Sequence, residues 1–504
     1  MRKNLQITAA FVIIGALVLT FVNFTRENSD VKAPMALTEY YNQELAWQDC
    51  YEDFQCTTLD VPIDYSDLTV GTFEISVLRF LASDQEKRIG SLVVNPGGPG
   101  SSGVNYAYNA EYIFSPDITD RYDIVGFDPR GVGESAPIRC FTDSEIDANY
   151  AADGKPDSDA ELREAISETE KYTEKCLTQN DHLTSFSTAN AARDMDVLRA
   201  ALGDEKLNYM GKSYGTFMGS LYAQLFPDKV GRVVLDGAVD PTISPYGQVL
   251  AQAASFDDAL TDFLKECSKS KNCSLPTDVD QARSAIISLL AETSKKPLPL
   301  KNPDGDDRKV TESLFTLGMA AAFYNSEEGW PRLRIALREI KSGYGDEILK
   351  LADQYSGRQK DGSYRSNEFD SGAIIDCLDF SDSRTVADMS SDAKKIAERA
   401  PVFGPYLAYA GLTCKYLPAT SPVVITSISV KAPILIIGTT RDPATPYAWA
   451  VGLQKIIANS QLLTLVGDGH TGHNRGSACI DDAVDAYYLK GVLPAQNLRC
   501  IATS

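Results

Sequence analysis

Leu207-Asn208-Tyr209-Met210-Gly211-Lys212-Ser213-Tyr214-Gly215-Thr216-Phe217-Met218-Gly219 decides how the rest of the chain is read. An apolar run ends at Gly211, and a helical pattern opens at Gly215. A strand that turns into a helix through Gly-x-Ser-x-Gly bends sharply enough to push the serine hydroxyl out of the turn. Small residues at positions 211 and 215 permit that bend. The N–H of Tyr214 then sits at a helix N-terminus, beside any developing oxyanion. A serine in an ordinary glycine turn is the structural alternative. The remaining chain must therefore supply a base, an acid and a second oxyanion donor.

Strand and helix patterns alternate on both sides of this turn. Upstream, Leu59 to Tyr65 and Thr72 to Phe80 alternate as half-buried strands do, and Ser91-Leu92-Val93-Val94-Asn95 is a compact buried run. It ends in Pro96-Gly97-Gly98-Pro99-Gly100-Ser101-Ser102-Gly103. Tyr122 to Phe127 is the next strand, and the Asp128-Pro129-Arg130-Gly131-Val132-Gly133 loop after it reads as a tied-down turn. Thr188 to Leu202 reads as an amphipathic helix with Thr188 as N-cap and Met195, Leu198 and Leu202 inward. Downstream of the turn, Gly231 to Asp236 is another buried strand.

From residue 242 to about 425 only helices are expected; Ser255 to Cys267, for example, carries Phe256, Leu260, Phe263 and Leu264 on one side. Strands return at Ala432 to Gly438 and at Gln461 to Val466. The pattern predicts an α/β core in two parts, 45–241 and 426–504, around a mostly parallel sheet. A mainly helical cap is inserted at 242–425.

Charge and cysteines narrow the function class. The 504 residues carry a net charge of −21, which excludes nucleic acid as the natural partner, since phosphate binding needs cations. Met1-Arg2-Lys3 precedes an apolar run from about Ile7 to Val22. Residues 1–30 thus read as a signal peptide or an N-terminal membrane anchor, and either places the chain outside the cytoplasm, secreted or in the cell envelope. Ten cysteines agree with an oxidising compartment. Pairing sequence neighbours gives Cys50–Cys56, Cys140–Cys176, Cys267–Cys273, Cys377–Cys414 and Cys479–Cys500. No cysteine or histidine group has zinc spacing, and the acidic Asn302 to Asp307 stretch lacks the spacing of a calcium loop, so no metal or cofactor is expected.

Acyl transfer by a serine needs a base and an acid that orients it. The only histidines are His182, His470 and His473. His182 lies upstream in a polar stretch, whereas His470 follows the Gln461–Val466 strand, with His473 as its competitor. Asp442 follows the Ile434–Gly438 strand, with Asp236 as the alternative acid. The order Ser213, Asp442, His470 is that of α/β-hydrolases. The glycine loop after Asn95 then occupies the oxyanion position, offering the N–H of Gly98 or Gly97 beside that of Tyr214.

These residues together resemble the secreted tripeptidyl aminopeptidases of the α/β-hydrolase superfamily, related to prolyl iminopeptidases. The resemblance runs from about Trp47 to Cys500. It rests on Asn95-Pro96-Gly97-Gly98-Pro99-Gly100, Phe127 to Gly133, Gly211 to Thr216, Val234 to Pro241, Ile375-Asp376-Cys377-Leu378-Asp379 and Gly467-Asp468-Gly469-His470. It implies Ser213, Asp442 and His470 as the triad and peptides cleaved near a free N-terminus as substrates. Recognition of an ammonium group demands a carboxylate; the candidates are Glu327, Glu328, Asp376 and Asp379, with Asp379 ahead through the family-like motif. An esterase or lipase using the same triad is the alternative activity, because fold and triad do not select the acyl group. A non-catalytic relative acting as a binding protein is the third reading, disfavoured by the intact serine, acid and histidine.

Overall fold

The computed structural model describes residues 32–303, 305–380, 382–418, 420 and 422–502. The apolar segment at residues 1–30 lies outside them. Among the described residues, ten strands form one sheet: β1 (Gln48–Cys50), β2 (Phe54–Pro62), β3 (Thr72–Phe80), β4 (Gly90–Asn95), β5 (Tyr122–Phe127), β6 (Leu207–Lys212), β7 (Val230–Asp236), β8 (Ile434–Arg441), β9 (Ser460–Asp468) and β10 (Arg499–Ile501). Their order across the sheet is β1-β2-β3-β5-β4-β6-β7-β8-β9-β10. The β1–β2, β2–β3 and β3–β5 pairs are antiparallel, and every pair from β5 through β10 is parallel.

The core follows from the two-residue period of a strand. Val93, Val125, Tyr209, Leu235 and Ile436 face one cluster, and Leu92, Ile124, Met210, Val234 and Leu435 face another. The first is covered by α2 (Thr188–Ala201) and α3 (Tyr214–Leu225), following α1 (Asp159–Gln179) in the chain. The second is covered by the C-terminal helix described below. Burial on both faces explains why β4 and β5 are buried at every residue.

Between β7 and β8 come α4 (Pro245–Cys267), α5 (Val279–Lys295), α6 (Glu312–Tyr324), α7 (Ser326–Lys341), α8 (Asp346–Ser356), α9 (Glu368–Asp379) and α10 (Val386–Arg399). Among the described residues, this block adds no strand to the sheet. Phe256, Leu260, Phe263 and Leu264 of α4 are buried together with Phe315 and Met319 of α6, so the block has its own apolar core. Helix α9 is the exception: its Ile374, Ile375 and Leu378 belong to the core beneath the sheet. The fold finishes with α11 (Tyr447–Ile456) and α12 (Ala478–Lys490), and Ile480, Val484 and Tyr487 of α12 cover the second sheet face.

Two expectations need correction. The N-cap of α2 is Ser187, one residue before Thr188, whose hydroxyl is used elsewhere. Strand β2 starts at Phe54 and ends at Pro62, earlier than the Leu59–Tyr65 reading, because it pairs along its whole length with β3. The five neighbour disulfides all form, as an oxidising, extracytoplasmic setting requires. Among the described residues, no helix is long and apolar enough to cross a membrane.

The Asp128–Gly133 loop is tied down as expected. Asp128 accepts the Ser102 hydroxyl at 2.5 Å and the Val104 N–H at 3.2 Å, docking the glycine loop after β4. Arg130 is fully buried and forms a two-pronged pair with Asp194 of α2 at 2.7 and 2.6 Å. Its remaining donors go to the carbonyls of Pro62, Ile63 and Ser185. Removing one member of such a pair strands a buried charge, at a cost of about 3–5 kcal/mol. Arg130→Met is therefore expected to lower the unfolding free energy from urea denaturation by that amount, with a matching fall in the midpoint. Arg130→Met combined with Asp194→Leu should recover part of it, which a denaturation series measures directly.

Candidate active site

Ser213 stands between β6 and α3 with φ 54° and ψ −125°, a backbone that costs a non-glycine residue about 1–3 kcal/mol. Its neighbours make the turn obligatory. A Cβ at position 211 would lie 2.2 Å from the Gly215 carbonyl oxygen, and one at position 215 would lie 2.7 Å from Asn95 Oδ1. Hydrogen bonds hold the strained residue: its N–H donates to the Asp236 carbonyl at 2.8 Å, and its own carbonyl accepts the Thr216 hydroxyl at 2.6 Å.

The glycine loop after β4 lies directly on this turn. A Cβ at Gly97 would be 2.7 Å from the Lys212 carbonyl oxygen, 2.9 Å from Ser213 Cβ and 3.3 Å from the Tyr214 nitrogen. The Gly97 N–H is already committed to Asn95 Oδ1 at 3.0 Å. Gly98, by contrast, lines the same cleft as Ser213 and Tyr214. From the far side, α9 presses on the same loop, where the Ser101 hydroxyl donates to Glu368 at 2.5 Å.

His470 Nδ1 lies 3.0 Å from each carboxylate oxygen of Asp442. Asp442 also accepts N–H bonds from Ala444 at 2.9 Å, Thr445 at 2.8 Å and Thr471 at 3.1 Å, with the Thr445 hydroxyl at 3.0 Å. These bonds lock the carboxylate, and an Nδ1–H donated to it leaves Nε2 as the basic nitrogen. Tyr324, the last residue of α6, frames the imidazole from the helical block. Its carbonyl accepts the His470 N–H at 2.9 Å, and its ring stands 5.1 Å from the imidazole at 79°.

The rival residues have other employment. Asp236 accepts the N–H groups of Gly472 and His473 at 2.7 and 2.9 Å, so it holds the histidine loop rather than the imidazole. His473 is buried against Phe114 with Nδ1 unpartnered, and burial pushes its pKa well below the ordinary value. His182 is exposed at the start of a short helical turn.

A cleft of about 210 Å³ opens at Ser213, lined also by Gly98, Tyr214, Phe217, Tyr324 and Asp376. The four acids proposed for an ammonium group separate here. Glu327 and Glu328 are exposed at the start of α7 and line no part of this cleft. Asp379, placed ahead by the sequence motif, is buried in a bond network with the Thr188 N–H and hydroxyl, and Thr188 in turn meets the Tyr214 hydroxyl. Burial, assisted by the nearby Asp376 charge, pushes its pKa up to about 8, so at neutral pH it is a poor anion. Asp376, one turn earlier, keeps an accessible carboxylate in the cleft. The surrounding protein still desolvates it and pushes its pKa up to about 6. Of the two aspartates, Asp376 is the one that lines the cleft.

Sequence reasoning missed Tyr324 and Glu368, for neither belongs to a motif and both act from the inserted block. The Gly97 contacts give a sharp test. Gly97→Ala places a methyl on Ser213 at a backbone φ of 113° that favours glycine. Turnover of a chromogenic amide should fall on the order of 10²-fold or more as the oxyanion loop is displaced, while circular dichroism stays unchanged.

Comparison with known proteins gives the family of the chain. Residues 90–281 match the model for the alpha/beta hydrolase fold, and residues 400–500 match that for TAP-like protein. Serine protease Hip1 of Mycobacterium tuberculosis is 36% identical over 464 residues, covering 88% of this chain and 87% of that protein. Carboxylesterase B of the same species is also 36% identical, over 458 residues, covering 88% and 86%. Tripeptidyl aminopeptidase of Streptomyces lividans is 31% identical over 475 residues, covering 90% and 86%. With relatives aligned along nearly nine-tenths of its length and a TAP-like match over the strands that carry Asp442 and His470, the chain belongs to the TAP-like serine hydrolases of the α/β-hydrolase superfamily.

Proposed function

We propose that the protein is an extracytoplasmic serine exopeptidase that releases short peptides from free N-termini. Ser213 is the nucleophile, His470 the base and Asp442 the acid. The observation that carries this reading is His470 Nδ1 held between both Asp442 oxygens, on a loop that Asp236 ties to the backbone of the strained Ser213. His470 takes the hydroxyl proton as Ser213 attacks the carbonyl, the N–H groups of Tyr214 and Gly98 receive the oxyanion, and water then clears the acyl-enzyme. The core comprises residues 45–241 and 426–504, and the helices of 242–425 cap it. The apolar segment of residues 1–30 directs export as a cleaved signal or a retained anchor.

Asp376 supplies the exopeptidase character by pairing with the substrate ammonium. It stands eight positions after Glu368 on α9, a rise of about 12 Å. Glu368 touches the oxyanion loop, with Oε1 3.3 Å from where a Gly98 Cβ would be. An extended peptide advances about 3.3 Å per residue, so three residues and a salt bridge fill that span. The likeness to tripeptidyl aminopeptidase supports the same length. An esterase is the second reading, favoured by the 36% identity to carboxylesterase B.

Chromogenic tripeptide amides, free and N-acetylated, assayed beside a short-chain ester separate the two. Hydrolysis of the free amide alone, abolished by Ser213→Ala, is expected; hydrolysis of the ester alone selects the second reading. The amine site adds a pH signature. Asp376 is charged above about pH 6, and a peptide ammonium persists to about pH 8. For free peptides kcat/KM should fall outside that window. Asp376→Asn is expected to raise KM about tenfold, the loss of one charge-assisted contact, and to remove the limb near pH 6 from KM. The ester, which senses only the triad, serves as the control.

A further inference from the structure

The loop carrying His470 is held by a different element at nearly every backbone group. The His470 N–H goes to Tyr324 and the Thr471 N–H to Asp442, while the Thr471 carbonyl accepts the Thr439 hydroxyl at 2.7 Å. The next two residues are held from the nucleophile's side. Asp236 accepts the Gly472 and His473 N–H groups with its carboxylate and the Ser213 N–H with its own carbonyl. Lys212, the residue before Ser213, donates from Nζ to the His473 carbonyl at 2.8 Å, with Asp236 Oδ2 3.7 Å away. Its side chain is 12% exposed and that of Asp236 fully buried. The contacts close a ring: Ser213 to Asp236, Asp236 to the histidine loop, and the loop through Lys212 back to Ser213.

We propose that the buried Lys212–Asp236 pair is the positioning device of the catalytic base, coupling the His470 loop to the nucleophile's own backbone. The inference rests on the triad reading of this site. A buried ion pair is seldom a gain in stability over apolar residues of similar size, so stability alone does not call for a lysine in the middle of the elbow. Registry does, because misplacing reacting groups by about 1 Å costs on the order of 10²-fold in rate. Neither residue lines the cleft at Ser213. The pair acts through the backbone that carries Ser213 and His470.

The test separates registry from stability by kinetics on free tripeptide amide, fluorophosphonate labelling of Ser213, and thermal unfolding. Lys212→Met is expected to lower kcat and the labelling rate at least tenfold, with KM within twofold of wild type. It also strands the Asp236 charge and lowers Tm. Combining Lys212→Met with Asp236→Asn removes that charge, so Tm should rise again while kcat and labelling stay low. Lys212→Gln, which keeps a donor for the His473 carbonyl, should fall between wild type and Lys212→Met and covers the case in which the latter fails to fold. Wild-type kcat in Lys212→Met, or recovery of kcat together with Tm in the double variant, overturns the proposal. Failure of the triad reading looks different, since Ser213→Ala would then stay active or keep its label.

Discussion

The backbone of Ser213 is the constraint on which the structure depends. A non-glycine residue at φ 54° between a parallel strand and a helix persists only if its surroundings leave no alternative. Gly211 and Gly215 approach each other too closely for side chains, and Gly215 also lies against Asn95 at the end of β4. Asn95 in turn fixes the Gly97 N–H, which orients the glycine loop over the serine. The strain thus propagates from one dihedral to the adjacent strand and to the glycine loop after it. A sheet buried on both faces keeps β4, β6 and β7 in register beneath it.

Helix α9 is the second organising element. Near its N-terminus, Asn367 accepts the Gly133 N–H and donates to the carbonyls of Gly131 and Ile138, while Asp370 accepts the Cys140 N–H. Glu368 meets Ser101 on the glycine loop after β4. Two turns later, Asp376 faces the cleft and Asp379 bonds the start of α2. The helix is therefore welded to three core loops while belonging to the inserted block in sequence. Its apolar side packs under the sheet, and its polar side organises the site.

Much of this was legible in the sequence because short-range physics dictates it. Strands β3 and β5 match the alternation of Thr72–Phe80 and Tyr122–Phe127 to the residue, and Ser213, Asp442 and His470 were legible from their places after strands. Strands β1 and β10 span three residues each, too few to display a period. Asp376 and Asp379 lie three apart on one helix and share its face broadly, so only the packing of Thr188 against Asp379 tells them apart. The Thr188 hydroxyl serves that acid, which is why a cap reading failed by one residue. Lys212 and Tyr324 act on residues 470–473 through contacts more than a hundred positions away, and no local pattern encodes such a pairing.

In the proposed reading, catalysis and selectivity are consequently not separable parts of this molecule. Tyr324 walls the cleft and also gives its carbonyl to His470, so a shift of α6 that reshapes the cleft moves His470. Helix α9 behaves likewise, since the end that carries Asp376 is rigidly continuous with the end that presses on Gly98 and Ser101. In the proposed reading, the distance from scissile carbonyl to ammonium acceptor is the length of that helix segment. A helix rises about 1.5 Å per residue and transmits displacement without bending over two turns. Any movement that lets a longer or shorter peptide reach Asp376 must then drag the oxyanion loop with it. Peptide length and oxyanion stabilisation become one geometric property, and a misfit substrate is penalised in turnover as well as in binding.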